Sequence, residues 1–235
     1  MNIGIIPARW GSKRFPGKPL VDICGKPMVE WVRLAAEASA LDRVVVAHDM
    51  ESLAGKDGYV FVQGDFGSGT GRVAACARLL GVGESDLIVN IQGDEPCITP
   101  EVINTLLTGV SKFDDVGTLY THASLVKGPD VVTIATDRLD YAMYFSRCAI
   151  PHGASVYRRH IGVYAYKHWA LKEYIKYGKT IVEQLEGLEQ LRWLDMGYGI
   201  KCLPVQYEGR AVDRADDVPF VEELLMSREL YERAS

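Results

Sequence analysis

A cluster of cationic side chains follows the first apolar segment of the chain. Residues 1–26 contain one acid, Asp22, and five cations: Arg9, Lys13, Arg14, Lys18 and Lys26. Residues 3–7 form an apolar run of strand length, and open α/β sheets bind ligands at the carboxyl ends of their strands. Small residues and glycines between Arg9 and Lys18 let backbone amides approach phosphate oxygens, whose charge the cations would neutralise. The pattern predicts a polyphosphate site, with a solvated basic loop as the alternative.

A carboxylate follows another apolar run. Asp94 comes directly after residues 87–92, so it would lie at the same edge of the sheet as the basic loop. Mg²⁺ prefers one or two carboxylates together with substrate phosphates. The alternative interpretation of Asp94 is a turn cap. The loop has neither the G-x-G-x-x-G nor the G-x-x-x-x-G-K-[ST] spacing, which disfavours dinucleotide dehydrogenases and P-loop proteins.

Strand-length apolar runs alternate with segments of helical period along the chain, which is typical of a sheet covered by helices. Predicted strands span residues 2–8, 43–47, 59–62, 87–92, 116–123, 131–136, 161–166 and 200–206. Predicted helices span residues 27–39, 69–80, 100–111, 168–177, 182–194 and 217–233, with Pro27 and Pro100 in first turns. We expect one domain over residues 1–235, with a nucleotide-binding half (about 1–110) followed by a mixed half (about 111–235) that completes the site.

Composition narrows the class of protein. The 235 residues are 48% hydrophobic and 24% charged, which is typical of a soluble globular protein. The net charge of −5 argues against a nucleic-acid or anionic-membrane partner. Five scattered cysteines indicate reduced thiols. Neither a secretory signal pattern nor a membrane-length apolar run is present, so we expect a cytoplasmic protein without a membrane partner.

Several sequence blocks carry a resemblance to a known family. Residues 5–9 (IIPAR), Ser12, Arg14 and residues 15–20 (FPGKPL) resemble the signature loop of the sugar nucleotidyltransferases, specifically the 3-deoxy-manno-octulosonate (Kdo) cytidylyltransferases. Further blocks follow in the family's order: SGT at 68–70 with Arg72, VNIQGDEP at 89–96, YFSR at 144–147, RHIGVYAY at 159–166 and LEQLR at 188–192. The last three separate this family from other nucleotidyltransferases.

The resemblance implies a Rossmann-like mixed, mostly parallel sheet with helices on both faces, of the nucleotide-diphospho-sugar transferase type. It implies a homodimeric, Mg²⁺-dependent nucleotidyltransferase that moves CMP from CTP to the anomeric hydroxyl of Kdo or a related 3-deoxy sugar acid. It further implies that pyrophosphate is released, that the product serves lipopolysaccharide or capsule synthesis, and that the half from about 111 to 235 binds the sugar and forms the dimer. Such chemistry needs positioned cations more than a protein nucleophile.

The resemblance also implies roles for individual residues. Those expected to be catalytic are Arg9, Lys18 and Asp94. The nucleotide would be bound by Pro7, Ala8, Arg9, Lys18, Ser68, Arg72 and Gln92. The sugar would be bound by Arg14, Arg147, Arg159, His160, Tyr164, Glu189 and Gln190, with Arg147, Arg159 and His160 donating to its carboxylate and hydroxyls. The metal ligands would be Asp94 and Asp213.

Other interpretations of these residues stay open. The block at 68–70 is also a common turn and cap, His160 also suits a core, and Asp213 also suits a solvated loop. Glu183 and Glu186 are expected on a solvated helix face. The chain departs from the family pattern at four positions: His48, Phe66, Gly71 and Thr133. They leave an 8-amino-Kdo or sialic-type acceptor, or a non-catalytic nucleotide-binding homologue, as alternatives.

Overall fold

The computed structural model describes residues 1–12, 14–110, 114–126, 128 and 131–234. Lys13 of the basic loop and Ser111, the expected end of a helix, lie outside the described residues. Contacts divide the chain into two compact units. The first consists of Met1–Val82, Asn90–Ile103 and Tyr207–Ser235, and the second of Gly83–Val89 and Asn104–Gln206.

The predicted alternation of strands and helices is present in the described residues. The strands are β1 (Asn2–Ala8), β2 (Asp22–Ile23), β3 (Lys26–Pro27), β4 (Arg43–His48), β5 (Tyr59–Phe61), β6 (Leu87–Ile91), β7 (Val116–Ala123), β8 (Thr133–Thr136), β9 (Ala142–Ser146), β10 (Tyr157–Lys167) and β11 (Ile200–Pro204). The helices are α1 (Met28–Glu37), α2 (Gly69–Leu79), α3 (Pro100–Gly109), α4 (His168–Tyr177), α5 (Ile181–Glu186), α6 (Leu191–Asp195) and α7 (Val218–Ala234). Within the described part of the chain, none of these helices has the length and apolar character needed to cross a membrane.

Parallel strands form the centre of the first unit. β1 pairs with β4, and β4 pairs with β5, both in parallel. Ile3, Ile5 and Ile6 of β1 are almost completely buried, as the uninterrupted apolar run predicts for a strand covered on both faces. Ala8 is opposite His48 at the carboxyl ends of β1 and β4. The loop that follows Ala8 therefore begins at the sheet edge where ligands bind.

The first unit contains a short hairpin that the sequence analysis did not predict. β2 and β3 are antiparallel and are joined by Cys24 and Gly25, whose φ angles are both positive, at 50° and 80°. This is the backbone of a two-residue hairpin turn, which Asn-Gly or Asp-Gly usually forms, so Cys-Gly gave little signal. Pro27 ends β3 and precedes α1, so its predicted place in the first helical turn was wrong.

The strands of the second unit are mixed in direction. β7 pairs with β11 in parallel and with β10 antiparallel, while β8 pairs antiparallel with β10 and β9. β10 is longer than the predicted 161–166 strand, and β9 was not predicted. The register of β10 against β7 shifts between Ile161 and Tyr164, which leaves Gly162 and Val163 as extra residues opposite β7.

The predicted single helix over residues 182–194 is wrong, because the chain breaks it into α5 and α6. Thr180 and Glu183 form a capping box that begins α5. Gly187 ends it with a φ of 64°, in the left-handed conformation that glycine adopts readily at helix ends.

A buried ion pair joins the two short helices. Glu183 is 5% exposed, so its predicted place on a solvated face was wrong. Its carboxylate accepts from Arg192 Nε at 2.7 Å and from Arg192 Nη2 at 2.5 Å. The Arg192 guanidinium also lies 4.0 Å from the centre of the Tyr174 ring. This bidentate pair fixes the segment 187–190 that contains Glu189 and Gln190.

The Glu183→Gln variant tests this role. Removing one charge of a buried pair leaves the other uncompensated, so we expect a loss of about 3 kcal/mol in the free energy of unfolding, measured by urea denaturation. Glu173→Gln removes an exposed partner of Lys176 and is the matched control, with an expected loss of about 0.5 kcal/mol or less. Equal stability of the two variants would contradict the prediction.

Candidate active site

Four of the predicted site residues, Arg14, Lys18, Asp94 and Asp213, form one connected group of charges in the first unit. Lys18 Nζ lies 2.5 Å from Asp94 Oδ2 and 3.7 Å from Asp213 Oδ1. Arg14 Nη2 lies 2.7 Å from the same Asp213 oxygen. The Lys18 side chain is only 13% exposed, and both carboxylates are about three-quarters buried. The structure thus brings together residues that are widely separated in the sequence and places two carboxylates beside one cation.

Backbone hydrogen bonds fix Asp213 relative to Asp94. Val212 N donates to the Asp94 carbonyl at 2.8 Å. The Asp213 and Arg214 amides both donate to Asp217 Oδ2 at 2.9 Å. Sequence reasoning missed Asp217, although an aspartate a few residues after a loop acid is a known way to satisfy turn amides. Hydrogen bonds at residues 212 to 214 therefore fix the backbone that carries the Asp213 carboxylate.

A second attachment joins the same two segments. Tyr207 Oη donates to Glu95 Oε2 at 2.7 Å, and both residues are buried. Gly209 lies so close that a Cβ there would be 2.5 Å from Tyr207 Cζ and 2.7 Å from Cys97 Cβ. Neither Tyr207 nor Gly209 was predicted as part of the site, because a tyrosine on an apolar segment has no distinguishing sequence signal. Only the fold shows what it contacts.

Glycines bring two further motif blocks against the end of β1. A Cβ on Gly93 would lie 2.9 Å from the Pro7 carbonyl oxygen. A Cβ on Gly69, at the start of α2, would lie 3.5 Å from Pro7 Cγ and 3.6 Å from Gln92 Oε1. Ala8 is buried beside them. The blocks that contain Pro7, Gly69 and Gln92 therefore converge, as expected if they frame one ligand.

The basic loop itself is closed by backbone bonds. The Trp10 carbonyl accepts from Ser12 N at 2.9 Å and from Gly17 N at 3.2 Å, while Trp10 N donates to Asp49 Oδ1 at 2.9 Å. Arg9 is exposed at the start of this loop. Its contact with a nucleotide stays a prediction.

Ser68 and Arg72 have protein partners. Ser68 Oγ accepts from Gly71 N at 3.1 Å and caps α2. Arg72 is 5% exposed and donates to Asp49 Oδ2 and to the Val62 carbonyl, each at 2.7 Å. Asp49 thus connects Arg72 to the basic loop. The nucleotide contacts of Ser68 and Arg72 stay predictions.

Two departures from the family pattern are sterically coupled. A Cβ on Gly71 would lie 2.8 Å from the Phe66 carbonyl oxygen and 2.9 Å from Phe66 Cβ. The Phe66 ring lies 5.4 Å from the Arg72 guanidinium carbon. The segment at Phe66 therefore packs where a side chain at position 71 would begin.

The other two residues that depart from the family pattern, His48 and Thr133, are completely buried. His48 is fully buried between the rings of Tyr59 and Phe61, and its Nδ1 accepts from Met50 N at 3.2 Å. Burial lowers the pKa of His48, which favours the neutral ring. Thr133 Oγ1 donates to the Cys148 carbonyl at 2.7 Å and accepts from Ile150 N at 3.3 Å.

The second unit groups three of the predicted sugar-binding residues. The ring centres of His160 and Tyr164 are 5.3 Å apart. Burial raises the pKa of Tyr164 well above its ordinary value, and the nearby negative charge of Glu189 adds to the effect. Tyr164 therefore stays protonated and keeps its hydrogen-bond donor.

The remaining predicted sugar-binding residues of this unit lie at its helix and strand ends. Arg147 donates from Nε to the Glu186 carbonyl at 2.9 Å and from Nη2 to the Gly187 carbonyl at 3.2 Å. The Glu186 carboxylate accepts from Ser146 Oγ and Arg147 N, so the expectation of a purely solvated Glu186 was wrong. Gln190 is buried directly before α6. Arg159 is partly exposed on β10, opposite residues of both β7 and β8.

Comparison with known proteins identifies the family. Residues 3–201 match the family described as Cytidylyltransferase. The chain belongs to this family. It is 39% identical to a 3-deoxy-manno-octulosonate cytidylyltransferase of Histophilus somni (strain 2336), over 94% of this chain and 97% of that protein. It is 40% identical to one of Syntrophobacter fumaroxidans, over 95% of this chain and 96% of that protein.

Two solved structures share the fold of this chain. A CMP:2-keto-3-deoxy-manno-octonic acid synthetase, solved in complex with CTP, matches with a TM-score of 0.88 and 35% identity over 97% of this chain and 99% of that one. A 4-diphosphocytidyl-2C-methyl-D-erythritol synthase matches with a TM-score of 0.63 at 16% identity, over 95% of this chain and 97% of that one, which shows the fold alone. The predicted fold class, a mixed α/β sheet of the nucleotidyltransferase type, is confirmed.

The Gly209→Ala variant tests the close packing beside Asp213. The added methyl group would overlap Tyr207 and Cys97, and such overpacking costs about 1–3 kcal/mol in the free energy of unfolding. Gly11→Ala is the control, because a Cβ on Gly11 meets no atom within 4 Å. We expect urea denaturation to show a loss for Gly209→Ala only, and equal midpoints for both variants would refute the packing argument.

Proposed function

We propose that this cytidylyltransferase moves CMP from CTP to the anomeric hydroxyl of Kdo or a closely related 3-deoxy sugar acid. The observation that carries the proposal is the ammonium of Lys18 between the carboxylates of Asp94 and Asp213. Relatives named for this reaction match nearly the whole chain. The reaction would serve lipopolysaccharide or capsule synthesis, because CMP-Kdo is the activated sugar that such polymers use.

The bond changes explain why these residues suit the reaction. The anomeric oxygen forms a bond to the α-phosphorus of CTP, the bond from that phosphorus to the bridging oxygen breaks, and pyrophosphate leaves as the hydroxyl loses its proton. Negative charge grows on the transferring phosphate and the leaving group, where fixed cations stabilise it. Lys18 and Arg9 would supply these cations. Pro7, Ala8, Ser68, Arg72 and Gln92 would hold the nucleotide.

The carboxylate pair fits a divalent cation. Asp94 and Asp213 are hard oxygen donors that already share one positive group, Lys18 Nζ. No group of three or more potential metal-ligating side chains occurs in the described part of the chain, and Mg²⁺ commonly binds through one or two carboxylates plus substrate phosphates. When bound, Mg²⁺ would neutralise charge on the reacting phosphate. Lys18 would then donate to phosphate oxygens instead of to Asp94.

The sugar acid would be bound by Arg14, Arg147, Arg159, His160, Tyr164, Glu189 and Gln190. An 8-amino-Kdo or sialic-type acid remains the alternative acceptor. A nucleotide-binding protein without catalysis is less well supported, because Lys18, Asp94 and Asp213 are assembled with charges that transfer chemistry needs.

Pyrophosphate release tests the proposal. The purified protein is assayed with CTP and Mg²⁺ against Kdo, 8-amino-Kdo and a sialic acid, with other nucleoside triphosphates and EDTA as controls. We expect Kdo with CTP to be the best pair and EDTA to abolish turnover. Lys18→Ala should lose at least about a hundredfold in kcat, since it removes a charge aimed at the transition state.

Lys26→Ala is the matched control for Lys18→Ala. It removes a cation that lies over the Trp31 ring, 4.4 Å from its centre, so kcat should stay near that of the parent protein. Near-normal turnover by Lys18→Ala would overturn the assignment. CTP binding without turnover across the panel would favour the non-catalytic alternative.

We also propose a homodimer located in the cytoplasm. Ile181 and Leu185 lie four residues apart on α5 and are 76% and 81% exposed, while Tyr144, which contacts Glu186, is 37% exposed. Apolar side chains grouped in this way favour a protein interface. All five cysteines are free thiols, which suits a reducing compartment where CTP is also available.

Leu185→Lys tests the dimer. A charge at the centre of an apolar interface is costly, so light scattering should show a dimer for the parent protein and a monomer for this variant. Leu79→Lys changes an exposed leucine of α2 and should remain dimeric. A monomeric parent protein, or a Leu185→Lys dimer of unchanged affinity, would refute the proposal.

A further inference from the structure

A threonine in the second unit contacts the His160 ring. Thr118 Oγ1 lies 3.0 Å from His160 Nε2, 2.9 Å from the Val163 carbonyl oxygen and 3.4 Å from the Ile161 carbonyl oxygen. Thr118 is fully buried on β7. Its hydroxyl is thus surrounded by two carbonyls and one ring nitrogen.

The bulge in β10 creates this arrangement. Leu119 and Thr118 are consecutive in β7, but their partners in β10 are Ile161 and Tyr164. Gly162 and Val163 are the extra residues, and the bulge brings the Ile161 and Val163 carbonyls within reach of the Thr118 hydroxyl. The polar contact is therefore built into the sheet.

The hydrogen count assigns the tautomer of His160. A hydroxyl has one hydrogen to donate, and a carbonyl can only accept. The short contact with the Val163 carbonyl, at 2.9 Å, is a hydrogen bond when the Thr118 hydrogen points to that oxygen. In that arrangement the Thr118 oxygen accepts from His160 Nε2, which carries a hydrogen. A neutral imidazole with hydrogen on Nε2 has an acceptor at Nδ1.

The other ring nitrogen is available to a ligand. Among the described residues, His160 Nδ1 has no hydrogen-bond partner. It is also not one of the unpaired side-chain atoms that are completely buried, so the atom is accessible. Phe145 and Tyr164 pack against the ring, and burial lowers the pKa of His160 to about 3, so the ring is neutral near pH 7. The sequence predicts that His160 donates to the sugar, whereas the tautomer with hydrogen on Nε2 would make Nδ1 an acceptor.

We propose that Thr118 is a positioning residue that fixes His160 with Nε2 protonated, so that Nδ1 accepts a hydrogen bond from a hydroxyl of the sugar acid. The inference rests on the proposed function for the identity of the ligand. In this proposal His160 accepts a hydrogen bond from a hydroxyl of the substrate, and the arginines bind the carboxylate of the substrate.

The first test is the tautomer in the free protein. Ring-nitrogen chemical shifts of isotope-labelled protein distinguish a protonated from an unprotonated nitrogen, and His160→Gln identifies the signals by their loss. We expect protonated Nε2 and unprotonated Nδ1 in the parent protein and in Thr118→Ser, which keeps the hydroxyl. Thr118→Val should shift the proton toward Nδ1. A parent protein with protonated Nδ1 would overturn the proposal, whatever its substrate.

The second test is kinetic. With Kdo and CTP, Thr118→Val should raise KM for the sugar acid about tenfold, the loss of one hydrogen bond, while KM for CTP stays unchanged. Thr118→Ser should restore the parent KM. Thr136→Val is the control, because the Thr136 hydroxyl has no partner among the described residues. An altered tautomer with an unchanged KM would refute the positioning role, whereas absence of turnover in the parent protein would refute only the proposed function.

Discussion

The attraction between Lys18 and the carboxylates of Asp94 and Asp213 is the constraint on which the first unit depends. Two partly buried carboxylates close together repel each other unless a cation lies between them. Lys18 follows β1, Asp94 follows β6, and Asp213 comes from the segment before α7. The C-terminal segment must therefore return to the loop after β6 before this charge arrangement can exist. The Val212–Asp94 backbone bond and the Tyr207–Glu95 bond provide that return.

Close backbone approach is the second requirement of the site. Gly93 lies against the Pro7 carbonyl, and Gly209 lies against Tyr207 and Cys97, at distances that exclude a Cβ. These glycines are needed for contact between segments, since neither has the positive φ that would require glycine for conformational reasons. Gly93 thus permits the close contact between two backbone segments that positions the neighbouring Asp94, and Gly209 does the same in the segment that leads to Asp213.

Sequence reasoning found the elements and the charged residues but not their partners. The bounds of β1, β7 and α4 agree with prediction, because long apolar periodicity is a strong local signal. The burial of Glu183 depends on a pair with Arg192 that no local pattern shows. The break at Gly187, by contrast, is a glycine helix end of a kind that local sequence can indicate. Asp217 and Thr118 act through hydrogen bonds to the backbone of Asp213 and to the ring of His160. The Thr118 contact joins two strands and cannot be inferred from residue type, whereas the Asp217 bond is local and joins residues four apart in the sequence.

The four residues that depart from the family pattern lie in packed or hydrogen-bonded surroundings. Phe66 and Gly71 form one steric unit, because the Phe66 segment lies where a side chain at position 71 would begin. His48 is buried between aromatic rings, and Thr133 is bound to the backbone at Cys148 and Ile150. None of these changes removes a charge from the group formed by Lys18, Asp94, Asp213 and Arg14. The charge group on which the proposed transfer chemistry rests is therefore unaffected by these departures, which gives the non-catalytic alternative no support.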